Sequence, residues 1–504
     1  MTNSLDVFDT ALLRTVYLPT DIFKLIEQEV GNDFFKKRIE AERKAREYRL
    51  FYNIYDIYRF LPEFSPELEI KTELNNCKAN PKFLELYNQN PKNFVFISDM
   101  YLPSKVISEM LEKIGYKSPK VFVSCEMKAL KWDGSLFKKV QKELGHTIEK
   151  HYGDNYDVDI EGAKKAGIPN VEFNPALHNI EIPLPAVKDV RLKKFLAELL
   201  AGNKSAEDKI ALLIAPLILG FTEWVLRQRK KGQKIFFLSR DMYIPYVIAK
   251  DYLKAKDVFY LHASRRSLSA AALETDNQKL IDKIHLILSE EEINQKRKEG
   301  TREILGYLNT FNIKDGDLIV DIGYSATIQA ALEAILKIKM TGLYMQVYPE
   351  TLFDVKALEY LKRRVIHFCL MVEVPLGSAE DCIESYKNGK VIFKPEHEDR
   401  KALARRMTKT ILESIKSMLH WNLSVFDVEQ ILIHLQYYPS HDIINVFNKG
   451  IYSNRVIGES VINFDKERIK KGELRELYQR SYAGKLFKQL LEEDPELKYL
   501  SRLI

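Results

Sequence analysis

The sequence predicts an α/β protein of more than one domain. Short apolar runs end abruptly in clusters of carboxylates, hydroxyls and arginines, and these runs alternate with segments whose apolar residues recur at i, i+3 and i+4. A length of 504 residues is also too great for one ordinary domain. Strands that alternate with helices build parallel sheets covered on both faces, and ligands of such sheets bind beyond the carboxyl ends of the strands.

Composition removes several classes of function. Hydrophobic residues make up 46% and charged residues 29%, the balance of a globular chain rather than a disordered one. With 77 basic and 71 acidic side chains the net charge is +6, which demands no nucleic-acid partner. Cys77, Cys125, Cys369 and Cys382 form no C-x-x-C pair and have no histidine at ligand spacing, so reduced thiols are expected rather than structural zinc. No secretory signal opens the sequence. The longest apolar stretch, Ile210 to Val225, contains Pro216, Thr222 and Glu223 and falls short of the roughly 20 residues needed to span a bilayer. A buried helix, no transmembrane segment and a cytoplasmic location are expected; the oligomeric state is not readable.

Taken in order, the first run ends in Asp6-Val7-Phe8-Asp9-Thr10. Asp21 to Val30 and Phe34 to Phe60 carry helical periodicity, interrupted by Pro62, Pro66 and Pro81, so residues 16–90 are expected to be a helical insertion. Val95-Phe96-Ile97 then ends in Ser98-Asp99-Met100. Lys131 follows in Lys-Trp-Asp-Gly, with Lys128 as the alternative lysine, and Gly153-Asp154-Asn155 precedes Asp159. These residue types suit phosphoryl transfer. A carboxylate can attack phosphorus, paired acids can hold Mg²⁺ against the phosphate oxygens, and a lysine can neutralise the transferred charge.

The wording Asp-Val-Phe-Asp-Thr, Ser-Asp-Met-Tyr-Leu and Gly-Asp-Asn-Tyr-x-x-Asp-x-x-Gly-Ala resembles the haloacid dehalogenase (HAD) superfamily, in a branch often met beside bacterial capsule and O-antigen genes. The likeness covers residues 1–175. It implies a HAD core at 1–15 and 91–175 with the insertion as its cap. It further implies Asp6 as nucleophile and Mg²⁺ ligand, Thr10 and Ser98 as holders of the phosphoryl oxygens, Lys131 as the neutralising charge, and Asp154 with Asp159 as the other metal ligands. Asp99 and Asn155 join the expected substrate-binding set. One position departs from the pattern: phosphatases of this superfamily usually carry a second aspartate two residues after the nucleophile, and here Phe8 stands there. General acid help is worth about 10²–10⁴-fold. Asp9 is the nearest substitute, but i and i+3 do not share a strand face, so it reaches the site only if the chain has already turned. It is either that acid or an Asp that stabilises the turn.

Residues 176–205, with Pro183, Pro185 and Gly202, read as a linker. Beyond it, Lys234 to Leu238 ends in Ser239-Arg240-Asp241, Val258 to Leu261 ends near Ser264-Arg265-Arg266, and Asp317 to Val320 ends in Asp321-Ile322-Gly323-Tyr324-Ser325-Ala326-Thr327 before a helix from Ile328 to Leu336. With Thr341 to Val347 as a further strand, residues 206–397 are expected to form a second, Rossmann-like α/β domain. Ser239, Arg240, Asp241, Arg265, Arg266, Asp321, Gly323, Ser325 and Thr327 would gather at one rim as an anion site, guanidinium and a helix N-terminus being apt partners for phosphate. A structural reading needs only Gly323 for the turn and Ser325 or Thr327 as N-cap. Residues 398–504 are charge-rich and helical by pattern, most clearly Met407 to Leu423 and Glu473 to Leu491.

The functional expectation is a Mg²⁺-dependent phosphohydrolase that works through an aspartyl-phosphate on a phosphorylated sugar or nucleotide-sugar, with a role in surface-polysaccharide assembly by resemblance alone. One rival is a transferase whose second domain carries the chemistry, with the first half as accessory. The other is a non-catalytic scaffold for a phosphorylated ligand, against which stands the retention of nucleophile, lysine and both later acids.

Overall fold

Parallel sheets need long crossovers, and the helical segments between the apolar runs supply them. In the computed structural model the chain divides into two units, Met1–Leu184 with Val190–Gly202, and Pro185–Asp189 with Asn203–Ile504. Described are residues 2–179, 184–299, 301–348, 352–363, 368–419, 421 and 423–437, with short pieces at 442–443, 446, 469–473 and 491–492.

The first unit contains β1 (Thr2–Leu5), β2 (Leu12–Arg14), β3 (Cys77–Ala79), β4 (Phe94–Ser98), β5 (Val121–Val123), β6 (Ile148–Gly153) and β7 (Asn170–Phe173). Five of these form an all-parallel sheet in the order β5-β4-β1-β6-β7. The chain winds outward from β1 through β4 to β5, then returns to the other side of β1 for β6 and β7. Its winding therefore reverses between β1 and β6, where a doubly wound sheet opens a crevice. Alternation along β4 explains the burial of both faces: Phe94 and Phe96 enter one core with Leu5, Ile107 and Tyr116, while Val95 and Ile97 enter another with Phe137, Val140 and Ile148.

β2 and β3 pair antiparallel, Leu12 opposite Ala79 and Arg14 opposite Cys77. Through this ribbon the chain leaves for the helices Asp21–Val30, Phe34–Tyr48, Ile54–Tyr58 and Pro66–Asn75, and through it the chain returns. The helix Pro81–Gln89, expected inside the insertion, follows the ribbon instead. Asn80 caps it, Pro81 starts it, and its Phe83 and Tyr87 pack against Tyr152, Phe94, Phe96 and Tyr116 of the sheet layer. Within the insertion Arg38 is fully buried and donates to Glu69 at 2.5 and 2.8 Å. Tyr58 and Tyr101 hydroxyls donate to the same carboxylate at 3.0 and 2.8 Å, and one helical turn on, Arg14 donates to Glu73 at 3.1 Å. Each buried charge thereby has a partner, which is the condition for tolerating it. The stretch expected as a linker contains the helix Val190–Ala201, whose Leu192, Leu196 and Leu199 are buried in the first unit.

The second unit contains β8 (Ile235–Leu238), β9 (Val258–Leu261), β10 (Leu318–Tyr324), β11 (Thr341–Val347) and β12 (Lys356–Glu359), all parallel in the order β12-β11-β10-β8-β9. A hairpin of β13 (Cys382–Lys387) and β14 (Lys390–Lys394) stands apart from the sheet. Here the winding reverses between β8 and β10. The helix Ala206–Gln228 is longer than its apolar run because Ser205 caps it, accepting from Asp208 N at 3.2 Å. Its length and composition would suffice to cross a membrane, but 78% of its most apolar window is buried. The helix Glu398–Met418 is tied to it by Arg406–Asp208 at 2.9 Å and Thr410–Asp208 at 3.0 Å. The expected helix at 473–491 lies largely outside the described residues.

Candidate active site

At the first reversal point the two flanking strands each release an aspartate. Asp6 leaves β1, and its N–H donates to Tyr152 O at 2.8 Å, holding it level with β6. Asp154 leaves β6 directly. Asp159 lies on the helical turn that follows, and Lys131 arrives from the loop after β5. The Lys131 ammonium donates to Asp6 Oδ1 and, at 2.5 Å, to Asp159 Oδ1. Carboxylate oxygens of Asp6, Asp154 and Asp159 lie within 4.8 Å of one another, a hard oxygen set able to hold a metal ion; no other such group occurs among the described residues.

Two glycines make this convergence possible. A Cβ on Gly153 would lie 2.3 Å from Asp159 Cβ, and one on Gly162 would lie 2.1 Å from the Lys131 carbonyl oxygen. Any side chain at these positions would push out the acid or the lysine loop. Asp99 fixes that loop from the other side, accepting from Lys131 N–H at 3.0 and 3.2 Å. Behind Asp159, buried His151 places Nε2 3.5 Å from Asp159 Oδ1, while its Nδ1 meets Ser4 Oγ, its cross-strand neighbour, at 2.8 Å.

The charges are unevenly satisfied. Burial alone would discharge Lys131, but Asp159, Asp6 and Asp99 hold it charged, above its ordinary value. Burial also opposes ionisation of Asp159, and Lys131 with His151 outweighs it, keeping that carboxyl below the usual range. Asp6 is pushed well above the usual range by burial and by Asp159 and Asp154, against the pull of Lys131. Asp154 is raised to about 6 by burial, Asp159 and Asp9. Burial keeps His151 neutral. One ammonium thus faces three carboxylates, a cluster that favours a further cation or a proton.

The remaining expected residues fall as follows. Thr10 is buried and donates to Asp154 at 3.4 Å. Ser98 is buried at the end of β4. Asn155 caps the following turn by accepting from Val158 N at 3.1 Å, and its own N–H donates to Asp159 Oδ2 at 3.0 Å. Lys128 is exposed, so the ammonium at the site is that of Lys131. The chain has turned at Asp9, which has φ 58°. Its carboxylate is 3.8 Å from Arg14 and close enough to help raise Asp154. Phe8 is capped by the Arg14 guanidinium, 4.2 Å above its ring.

In the second unit the expected anion set is only partly assembled. Arg240 is taken by Glu396 at 2.5 Å and by Cys382 Sγ at 3.3 Å, and Arg266 pairs with Glu292 at 2.9 Å. Gly323 is a packing requirement: its φ is 142°, and a Cβ there would lie 1.6 Å from Gln346 O. Ser325 O accepts from Phe353 N at 3.1 Å. The helix Thr327–Leu336 opens behind Ala326, φ 57°, with no side-chain cap, so neither Ser325 nor Thr327 serves as the expected N-cap. Ser239, Asp241 and Asp321 flank the crevice between β8 and β10.

Sequence reading missed His151, Ser4 and Arg14. His151 was findable, since it precedes Gly153 by two residues in a strand and shares its face. Arg14 was not, because its partner Glu73 lies across the whole insertion. Compared by sequence, the chain matches no family model and no curated protein.

Proposed function

We propose that the first unit is a Mg²⁺-dependent phosphohydrolase of HAD type, acting on a phosphorylated sugar or nucleotide-sugar, with the helical insertion as its cap. The observation that carries this reading is Lys131 clasped between Asp6 and Asp159, with Asp154 beside them, at the reversal point of a doubly wound sheet. An Asp6 carboxylate oxygen bonds to phosphorus as the bond from phosphorus to the leaving oxygen breaks. Water then attacks phosphorus, and the acyl phosphate yields free phosphate and the Asp6 carboxylate. Lys131 offsets the negative charge of the transferred group, and the hydroxyls of Thr10 and Ser98 hold its oxygens. Asp6, Asp154 and Asp159 would hold Mg²⁺, which supplies charge neutralisation at the phosphoryl oxygens. The sugar class and the link to polysaccharide assembly rest on the resemblance.

Phe8 has no proton to give to the leaving oxygen. Leaving groups that need little protonation, such as anomeric phosphates and phosphoanhydrides, are therefore the favoured substrates. The test is phosphate release with Mg²⁺ by wild type and Asp6→Asn. A fall of at least about a thousandfold is expected with the fold retained, and wild-type turnover by the variant would overturn the assignment. If alkyl phosphates react as fast as anomeric ones, and Asp9→Asn removes that activity, Asp9 is the acid and the leaving-group inference fails.

A further inference from the structure

The second sheet has its own reversal point, and its strands part there. β8 pairs with β10 only as far as Phe237 opposite Val320, whereas β10 continues along β11 to Tyr324 opposite Val347. From Asp321 onward β10 therefore shows an edge to the crevice, facing the Ser239-Arg240-Asp241 turn that follows β8. Open α/β sheets take their ligands at this place.

The groups gathered there are of two kinds. Asp321 and Asp241 are carboxylates: burial, helped by Asp241, raises Asp321 to about 7, and burial raises Asp241 despite Arg240, Arg265 and Arg400. Two arginines are already committed, Arg240 to Glu396 and Arg400 to the carbonyls of Ser378 and Glu380, at 2.5, 2.9 and 2.6 Å. Exposed Arg265 remains, its charge reaching both carboxylates. Beside them begins the uncapped helix Thr327–Leu336, and the buried Ser239 Oγ has no hydrogen-bond partner among the described residues. A bare phosphate would leave the acceptor oxygens of Asp241 and Asp321 and the Ser239 hydroxyl unmatched. A ligand that presents hydroxyl donors to the aspartates and an anion to Arg265 and the helix start suits each of these groups.

We infer that the crevice between β8 and β10 is a sugar-phosphate site, in which Asp241 and Asp321 accept from sugar hydroxyls, Ser239 completes the hydroxyl contacts, and Arg265 with the amides opening the helix at Thr327 takes the phosphate. The inference stands apart from the hydrolase reading, because binding here requires neither Asp6 nor a metal.

It is tested by titration calorimetry on the full chain carrying Asp6→Asn, in EDTA, with glucose 1-phosphate, uridine diphosphate glucose, glucose and inorganic phosphate. Binding of glucose 1-phosphate is expected, weakened at least about tenfold by Asp241→Asn, Asp321→Asn and Arg265→Ala, with phosphate and glucose far weaker. Binding of uridine diphosphate glucose alone would assign the same hydroxyl-and-phosphate chemistry to a nucleotide-sugar. Because Arg265 is exposed, Arg265→Ala keeps the test valid if an aspartate variant fails to fold. No binding of either conjugate, affinities unchanged in all three variants, or phosphate binding as tightly as glucose 1-phosphate would overturn the assignment.

Discussion

At the carboxyl end of the first sheet a lysine is drawn in between two of three clustered aspartates, whereas at the same end of the second sheet Arg240 and Arg266 are drawn off to Glu396 and Glu292. Both crevices arise from the same cause, a reversal of winding in a parallel sheet. Their chemistry differs because the loops around them deliver different cations at different distances. A doubly wound sheet thus provides the place, and the pairing of charges decides whether an ammonium or a pair of carboxylates faces it.

The first crevice changes most when its lysine is removed. Lys131→Met leaves buried Asp6 and Asp159 and half-buried Asp154 without their cation, so kcat should fall at least about a hundredfold and stability by about 3–5 kcal/mol at pH 8. The stability loss should shrink at pH 5, where Asp154, raised to about 6, takes up a proton. Denaturant unfolding at both pH values checks this, and equal losses at the two would show that Lys131 does not balance the cluster.

Next in size is Gly162→Ala, which places a methyl group against the Lys131 carbonyl. A loss of about 1–3 kcal/mol, with activity reduced about tenfold or more by the displaced loop, should appear in melts and initial rates. Wild-type values for both would mean that the loop yields without moving the ammonium.

Asp321→Asn examines the second crevice through stability. The folded carboxyl titrates near 7 against an ordinary value of 3.8, so the folded state binds the proton more tightly. The stability it contributes is complete below the ordinary value and disappears as pH rises to 7. The variant should therefore melt higher than wild type at pH 8, by about 1–3 kcal/mol, and match it at pH 4. A variant less stable at pH 8 would mean that Asp321 is held ionised by its neighbours.

The smallest effect is expected from Ser4→Ala, which leaves His151 Nδ1 without its partner. About 1 kcal/mol of stability should be lost and kcat should change by no more than about threefold. A much larger fall in kcat would make His151 a participant in the chemistry and not a support for Asp159.

The first site was legible in sequence because its acids and lysine sit at strand ends or tight turns, where neighbouring residues determine placement. Asp6, Asp154, Asp159 and Lys131 are of this kind. The second set was harder to read because its outcome depends on distant partners: nothing near Arg240 announces that Glu396 takes its guanidinium, and nothing near Arg266 announces Glu292. Gly323 looked like part of a ligand loop, although the carbonyl of Gln346 on the neighbouring strand is what excludes a side chain there. The ribbon of β2 and β3 was illegible for another reason, since three-residue strands carry too little alternation to register as a period.

That ribbon makes the insertion a detachable module. Its points of departure and return face each other as Arg14 and Cys77, one strand spacing apart, about 4.8 Å. A two-residue hairpin turn could join them directly, or a foreign helical block could be spliced in, without altering the order of the sheet. Any such graft must meet two constraints: it must cover the apolar cluster that Phe34, Ile54 and Ile57 share with Leu5 and Phe96, and, because Arg14 is shared by the ribbon and the block it carries, it must bring its own counterpart to Glu73 or relieve Arg14 of its charge.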